Sequence, residues 1–393
     1  MEQLMEKLLE GTFFLYLLSS IAFVIGMTSQ NENKRTKWGK AGITMAIIGA
    51  VIQIAFIITR IIIGGHFPTS NMFEFIAFLC FALVIGFIVL FFIYRSYLLG
   101  AFAMPMAVIL LAYASIFPTE VQPLIPALQS HWLYIHVTTA AVGQGLFGVA
   151  AVSGIIYLIR KVGHEKKGKN AFFLEITLLV LVMFLSFSAY SYIFRSMDYR
   201  VVYAHEVEGQ VVAEEYELPP LIKPNASQLV EGEPKFSPIA EAPSWMEGSQ
   251  AGKKLNSVIW AIITGLLVYA IYFLLVRKPI HRLLAPLVSK VDDELLDEIT
   301  YRAIAIGYPI FTLGALIFAM IWAHEAWGRF WGWDPKETWA FITWMFYSAY
   351  LHLRLSRGWH GTRSAWLAVG GFTIIMINLI VVNLIISGLH SYA

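Results

Sequence analysis

Ten long apolar segments are the feature that most constrains how this 393-residue chain can fold. The hydrocarbon core of a bilayer is about 30 Å thick, so a helix needs roughly 20 apolar residues to cross it. Segments that approach this length lie at about 12–28, 41–63, 73–94, 99–117, 134–159, 171–194, 256–276, 303–323, 338–353 and 364–387. We therefore predict an all-α integral membrane protein, a polytopic bundle of about ten transmembrane helices in the lipid bilayer.

The composition excludes several other classes of protein. Apolar residues make up 58% of the chain and charged residues only 14%, whereas about 25% charged residues is typical of soluble domains. Soluble enzymes and disordered proteins are thus excluded. A single cysteine excludes a disulfide scaffold and a cysteine zinc site. With 28 basic and 26 acidic residues, the chain lacks the charge excess of nucleic-acid-binding proteins.

Basic residues are concentrated in every second loop, and this alternation predicts the orientation of the bundle. Lys and Arg accumulate on the cytoplasmic side of membrane proteins. The basic loops carry Lys34, Arg35, Lys37 and Lys40; Arg160, Lys161, Lys166, Lys167 and Lys169; Arg277, Lys278, Arg282 and Lys290; and Arg354, Arg357 and Arg363. We expect both termini to be extracytoplasmic. The N-terminal MEQLMEKLLE has more acid than base, which predicts a retained first helix rather than a signal peptide.

Two polar segments interrupt a membrane domain that we expect to span residues 1–393. Residues 196–255 contain nine glutamates and six prolines and fall between two outward-facing helix ends, which predicts a small extracytoplasmic insertion loop or cap. Residues 277–301 lie on the cytoplasmic side. Leu283, Leu284, Leu287 and Val291 recur there at helical spacing. This pattern favours an amphipathic interfacial helix over a docking surface.

The segment 322–344, WAHEAWGRFWGWDPKETWAFITW, contains six of the twelve tryptophans. Anchoring at a membrane interface explains one or two of them. A broad aromatic surface with a few cations suits a flat, apolar, anionic ligand. The candidate surface residues are Trp327, Trp331, Trp333, Trp339, Trp344, Arg329 and Lys336. For Arg329 and Lys336, binding of the ligand's carboxylates and binding of lipid headgroups remain alternatives.

The tetrapeptide Asp334-Pro335-Lys336-Glu337 has the pattern of a helix start. Asp is a preferred N-cap residue, Pro is favoured at the first helical position, and Glu at the third position can complete a capping box. We therefore interpret Asp334, Pro335 and Glu337 as a structural cap for the ninth span, in preference to a catalytic role.

The histidines divide by their position relative to the membrane. His66, His131, His136, His324 and His390 are predicted at or beyond the outer face, on the side of the tryptophan segment. His352 lies instead near the inner end of the ninth span, eight residues after Trp344 and so close to the same helix face. Two outer histidines could bind a haem iron from opposite sides. The spacing alone does not rank His136 above His131, or His390 above His324.

Five separated motifs resemble a known family. They are TSNMFEF at 69–75, LQSHWLYIHV at 128–137, EAWGRFWGWDPKETWAFITW at 325–344, YLHLR at 350–354 and GLHSY at 388–392. In this order they resemble the cytochrome c biogenesis haem-handling family with a tryptophan-rich WWD motif, of the CcsA/ResC type in the two-component (system II) pathway. The resemblance covers about 60–160 and 290–393, and residues 171–276 look like an insertion relative to chloroplast members.

The resemblance implies three functional histidines. His136 and His390 match the two axial ligands of an external haem b, and His352 matches the ligand of a haem inside the bundle. The second inner ligand would come from a CcsB/ResB-type membrane subunit. His324 departs from the family pattern, which does not place histidine before EAWG.

The implied function is passage of haem across a bacterial cell membrane. The haem would be presented at the extracytoplasmic face for thioether attachment to the CXXCH motif of apocytochrome c. The chain would act as a haem-handling subunit of a cytochrome c synthase of the haem lyase type, and no catalytic nucleophile or base is evident in its sequence.

Two other classes of membrane protein provide alternatives. A respiratory b-type cytochrome would need paired histidines at mid-membrane depth, whereas the histidines here lie at helix ends. A non-haem small-molecule transporter would be expected to carry carboxylates within its spans or paired Gly/Pro breaks. Glu74, near the outer end of the third span, is the main candidate of that kind.

Overall fold

The computed structural model describes residues 1–115, 117, 119–121, 129–165, 167–207, 209–246 and 251–382. Long helices dominate these residues and a small β region interrupts them. The helices are α1 (Glu2–Thr28), α2 (Glu32–Gly64), α3 (Met72–Tyr94), α4 (Tyr97–Ala114), α5 (His131–Val162), α6 (Lys169–Ser196), α7 (Ala251–Val276), α8 (Ile280–Val288), α9 (Asp293–Thr312), α10 (Ala319–Trp327), α11 (Pro335–Arg357) and α12 (Thr362–Ile377). π-Helical turns at Leu313–Phe318 and Asn378–Val382 follow α9 and α12.

The predicted fold class is confirmed, and every described part of a predicted span is almost wholly helical. Within the described ranges, nine helices are long and apolar enough to cross a membrane; α9, its π turn and α10 count as one of them. The ninth predicted span, 338–353, forms α11, which is 23 residues long but is not among the nine. Its polar and charged residues lower its mean hydropathy.

The chain forms two compact units, of which the first comprises Met1–Leu174 and Ile280–Ile375. Its central helix is α5, because 89% of the most apolar window of α5 is buried. Helices α3 and α9 pack against it. Gly143 permits the close approach of α9, since a Cβ atom there would lie 2.8 Å from the backbone nitrogen of Phe311. Small residues at such crossings are typical of helix packing in membranes.

A buried ion pair connects α2 and α3 in the first unit. Arg60 Nε donates to Glu74 Oε1 at 2.6 Å, and both side chains are 1% exposed. The remaining guanidinium nitrogens donate to the carbonyl oxygens of Thr119 and Glu120. Glu74 Oε2 accepts from the backbone and the hydroxyl of Ser70. The carboxylate predicted near the outer end of the third span is therefore paired with a cation, and the pair holds two loops in place.

The segment 277–301 contains α8 and the start of α9. His281, Ala285 and Val288 form the buried side of α8, whereas Leu283 is exposed. The acidic residues that follow bind the ends of neighbouring helices: Asp292 caps α9, and Asp293 forms a salt bridge with Lys161 of α5. The exposed Leu283 is compatible with an interfacial helix. The position of α8 at the membrane interface remains a prediction.

The second unit comprises Glu175–Pro279 and the described residues from Met376 onward. Its helices α6 and α7 meet at Gly265, where a Cβ atom would collide with Met183. Between them lie the strands β1 (Val201–Val207), β2 (Gln210–Tyr216), β3 (Ile222–Lys223), β4 (Gln228–Glu231) and β5 (Ala240–Glu241). β1 pairs antiparallel with β2 and β4, and β3 pairs parallel with β5. The polar loop predicted at 196–255 thus contains a small β cap, which the helical prediction did not include.

Candidate functional site

The tryptophan segment 322–344 runs from α10 through a loop into α11. Helix α10 ends at Gly328, whose φ of 70° suits glycine. In the loop, Trp333 also has a positive φ, 57°, and its side chain is 66% exposed. Trp327, Trp331, Trp339 and Trp344 are half-buried. The segment therefore presents a partly accessible aromatic surface and is not a closed core.

A capping box begins α11. Asp334 Oδ1 accepts from the backbone nitrogen of Lys336 at 3.0 Å, and Glu337 Oε2 accepts from the backbone nitrogen of Asp334 at 3.2 Å. Glu337 also accepts from the Gly332 nitrogen at 2.8 Å. Pro335 occupies the first helical position. These side chains satisfy backbone donors of the tryptophan loop and so hold its shape.

Arg329 lies across the same loop. A Cβ atom on Gly332 would be 2.5 Å from Arg329 Nη2, so the missing side chain at position 332 makes room for the guanidinium. Arg329 is exposed, and Lys336 is half-buried in the first turn of α11. An accessible guanidinium beside exposed aromatic rings can bind a carboxylate in bidentate geometry.

His136 is held by two residues from a distant part of the chain. Its Nδ1 lies 2.8 Å from the carbonyl oxygen of Gly314, in the π-helical turn between α9 and α10. Its ring stacks on Trp322 of α10 with an interplanar angle of 10° and a centroid distance of 5.8 Å. Trp322 and Leu133 are the buried members of a cluster that includes Trp327. His136 is thus part of the same aromatic cluster as the first tryptophans of the segment.

The contact with Gly314 sets the chemistry of the imidazole. When Nδ1–H of a neutral imidazole donates to a carbonyl oxygen, the lone pair is on Nε2. Such a hydrogen bond is typical of the shell around a metal-ligating histidine, because it fixes the tautomer and the ring orientation. The donor set at His136 therefore fits an axial ligand of haem iron.

The other candidate histidines have different surroundings. His131 is exposed and has its ring 5.9 Å from Tyr134, and His324 is exposed and stacks on Phe330 at 4.2 Å. His352 is exposed on α11. His390 lies outside the described residues. No group of three metal-ligating side chains occurs in the described ranges.

Sequence reasoning did not single out Trp322 or Gly314. Trp322 opens the tryptophan segment, but nothing in the sequence indicates that it stacks on a histidine 186 positions earlier. Gly314 lies in an apolar run and has no side chain, so the sequence gives no indication that its carbonyl binds a histidine. The sequence offers one local signal of a disturbed helix here, which is Pro309, five residues before Gly314 in the same helical run.

Comparison with known sequences identifies the family of this chain. The profile of the family described as "Cytochrome C assembly protein" matches residues 69–197 and 255–390. Relatives called "Cytochrome c biogenesis protein CcsA" cover nearly the whole chain. The protein of Trichormus variabilis is 30% identical over 97% of this chain and 95% of its own length. That of Nostoc punctiforme is 31% identical over 97% and 96%, and that of Porphyra purpurea is 29% identical over 88% and 86%.

The matched ranges change one expectation. They include α6 and most of α7, so these helices are part of the family pattern. The expected insertion relative to chloroplast members, 171–276, is therefore wider than the segment that the family profile leaves unmatched. The residues between the two matched ranges, 198–254, contain the β cap. Because the profile matches more than half of the chain and the relatives match nearly all of it, this chain belongs to the cytochrome c assembly protein family.

Proposed function

We propose that this chain, an integral membrane protein of cytochrome c biogenesis, carries haem across the membrane and presents it at the extracytoplasmic face. There the haem would be attached to the CXXCH motif of apocytochrome c. The observation that carries the proposal is the environment of His136. Its Nδ1 contacts the Gly314 carbonyl and its ring stacks on Trp322. Both contacts support a role for Nε2 as the ligating atom.

At the outer site, His136 and His390 would bind the iron of haem b from opposite faces. The exposed rings of the tryptophan segment would hold the porphyrin plane, and Arg329 and Lys336 would bind its propionates. Asp334 and Glu337 act on the loop backbone and need not touch the ligand. This division of roles follows the accessibility of each side chain.

At the inner site, His352 would bind haem from the exposed side of α11. An ionisable side chain on the lipid-facing surface of a span is costly unless it is covered or paired. A membrane subunit of the CcsB/ResB type is the expected cover and the expected source of the second ligand. We expect the complete unit to be a cytochrome c synthase of the haem lyase type in a bacterial cell membrane.

The attachment step needs no nucleophile from this chain. Each cysteine thiol of apocytochrome c adds across one haem vinyl group, its sulfur bonding to one carbon and its proton ending on the other. The chain's contribution would be to hold the vinyl edge and the CXXCH segment together, because fixing two reactants in a productive geometry accelerates their reaction. The histidine of CXXCH would displace His136 or His390 at handover.

The ligand assignment is tested with four single variants: His136→Ala, His390→Ala, His131→Ala and His324→Ala. Haem content, optical spectrum and cytochrome c maturation are measured for each, with and without added imidazole. We expect the first two to lose outer haem and to be partly restored by imidazole, which fills the open axial position. Rescue of His324→Ala, with His136→Ala and His390→Ala unaffected, would overturn the assignment.

The inner site is tested with His352→Ala. We expect less haem in the purified complex and little cytochrome c maturation, because the outer site is no longer supplied. Normal haem content and normal maturation would mean that His352 only reaches toward the membrane surface. A wild-type complex without a Soret band would favour the transporter alternative, and one reduced by quinol would favour a respiratory b-type cytochrome.

A further inference from the structure

A strip of aromatic residues runs along α11 between the tryptophan loop and His352. We define the aromatic strip as Trp333, Phe341 and Trp344 together with Tyr308 of α9. Neighbouring ring centroids are 6.2 Å apart for Trp333 and Phe341, 5.8 Å for Phe341 and Trp344, and 6.1 Å for Trp344 and Tyr308. The last three rings are nearly parallel, with interplanar angles of 21° and 20° between neighbours.

Hydrogen bonds fix the rings of the strip. Trp344 Nε1 donates to Thr312 Oγ1 at 3.0 Å, and the Tyr308 and Ser348 hydroxyls are 2.6 Å apart. Thr312 and Ser348 in turn donate to backbone carbonyls of their own helices. The polar atoms are therefore satisfied within the protein, and the faces of the rings can contact an apolar ligand. All four side chains are at least partly accessible.

Interface anchoring does not explain Trp344. Tryptophan favours the interfaces because its ring is apolar while its N–H needs a wet partner. If α11 spans the membrane, Trp344 is about 14 Å along the helix from Pro335, close to the middle of a core of about 30 Å. Its N–H is satisfied by Thr312 rather than by water. Anchoring therefore does not account for a partly exposed tryptophan at this depth.

The strip leads to His352. Trp344, Ser348 and His352 follow one another at intervals of four residues, so they lie along one side of α11. Phe341 is about 17 Å from His352 along the helix axis. At the other end, the strip continues through Trp333 into Trp331, whose rings are 5.9 Å apart. One surface thus joins the inner histidine to the outer tryptophan loop.

We propose that the aromatic strip is the path along which haem moves from His352 to the outer site. This inference rests on the function proposed above and adds the binding surface between the two haem positions. A porphyrin is flat and apolar over most of its area, so successive parallel rings can hold it by stacking without ligating the iron. Weak contacts at several positions suit a path, because a ligand must be able to leave each of them.

The test uses the complex with its partner subunit and the variants Trp344→Leu, Trp344→Phe and Phe346→Leu. Phe346 is the control, since it is an aromatic residue of α11 outside the strip, close to Gly371 of α12. Haem per complex is compared with that of His136→Ala, which we expect to keep only inner haem, and of His352→Ala, which we expect to lose inner haem. We expect Trp344→Leu to match His136→Ala and Phe346→Leu to match the wild type. Trp344→Phe keeps an aromatic ring in the strip, so we expect it to hold more haem than Trp344→Leu.

Haem added to the outer side of membrane vesicles completes the test. We expect it to fill the outer site of Trp344→Leu as it does in the wild type, because the path is bypassed. If added haem does not bind in Trp344→Leu, the residue belongs to the outer site and the inference is wrong. Wild-type haem content in Trp344→Leu overturns it equally, whereas a wild-type complex without any haem contradicts the proposed function itself.

Discussion

His136 on α5 and Gly314 in the π-helical turn are joined by a hydrogen bond of 2.8 Å across 178 positions of sequence. The Gly314 oxygen also accepts from the nitrogen of Ala319, five residues later, as expected in a π turn. One carbonyl oxygen, that of Gly314, therefore binds both the His136 imidazole and the backbone of the π-helical turn. π-Helical turns within α-helices occur frequently at functional sites.

Gly314→Ala should disturb this arrangement. A Cβ atom at position 314 would collide with the backbone nitrogen of Ala140 and lie 2.7 Å from the carbonyl carbon of Thr139. Because both atoms belong to the α5 backbone, the helices must separate, and we expect a loss of about 1–3 kcal/mol in the free energy of unfolding. Outer haem should be lost with it. Thermal unfolding in detergent and optical spectra measure the two effects.

Gly370→Ala is the matched control, since the nearest atom to a Cβ there is Phe346 Cζ at 3.6 Å. It should leave both the midpoint temperature and the spectrum unchanged. An unchanged haem spectrum in Gly314→Ala would show that the hydrogen bond to Gly314 is not needed to orient His136.

Asp334→Ala should destabilise the start of α11 by about 1 kcal/mol, because the backbone nitrogen of Lys336 loses its acceptor. Asp334→Asn retains a capping oxygen and should behave like the wild type in unfolding and in cytochrome c maturation. If Asp334→Asn is stable but inactive, the carboxylate takes part in the chemistry, and the purely structural role is wrong.

Glu74→Ala should be among the most destabilising single changes. It leaves the Arg60 guanidinium buried and without its carboxylate, for which a loss of about 3–5 kcal/mol is expected. The double variant Arg60→Met/Glu74→Leu removes both charges and should unfold at a higher temperature than Glu74→Ala. Equal midpoint temperatures for the two would argue against an uncompensated charge as the cause.

The orientation of the bundle can be measured with reporter fusions. Fusions after Gly65, after Gly232 and at the C-terminus should report an extracytoplasmic location, and fusions after Asn33, Gly168 and Gly361 a cytoplasmic one. The Gly361 fusion decides whether α11 crosses the membrane. A cytoplasmic C-terminus would place His390 on the wrong side for an external ligand.

The β cap should lose stability as the pH rises. Burial raises the pKa of Glu214 from 4.5 to about 7, against the opposing effects of the Lys253 amide and of the Lys253 and Lys254 charges. Because the folded pKa exceeds the unfolded one, the stabilisation is complete below about pH 4.5 and is lost as the pH rises through about 7. Glu214 is 2% exposed, so the loss is on the order of 3 kcal/mol.

Hydrogen exchange of the β1 and β2 amides, corrected for intrinsic rates, measures this effect at pH 5 and pH 8. In Glu214→Gln the difference between the two pH values should shrink. Glu215→Gln is the control, because Glu215 is exposed and pairs with Arg200. An undiminished difference in Glu214→Gln would assign the pH dependence to another group.

The sequence by itself determined the features that depend on local patterns. Runs of apolar residues predicted the helices because every backbone polar group must be satisfied inside a bilayer core. The order Asp-Pro-Lys-Glu at 334–337 predicted a helix start, because capping involves residues three positions apart. The five motifs indicated the family because each of them is a short continuous segment that can be identified without the fold.

Only the tertiary structure decided which residues from distant segments contact one another. It brought His136 to Gly314 and Trp322 and left His131 exposed, although the two histidines are five residues apart on one helix. It paired Arg60 with Glu74 and folded the polar loop into strands. Such contacts arise where helix faces meet, and the pattern of a single helix shows which side is apolar but not which residue lies opposite it.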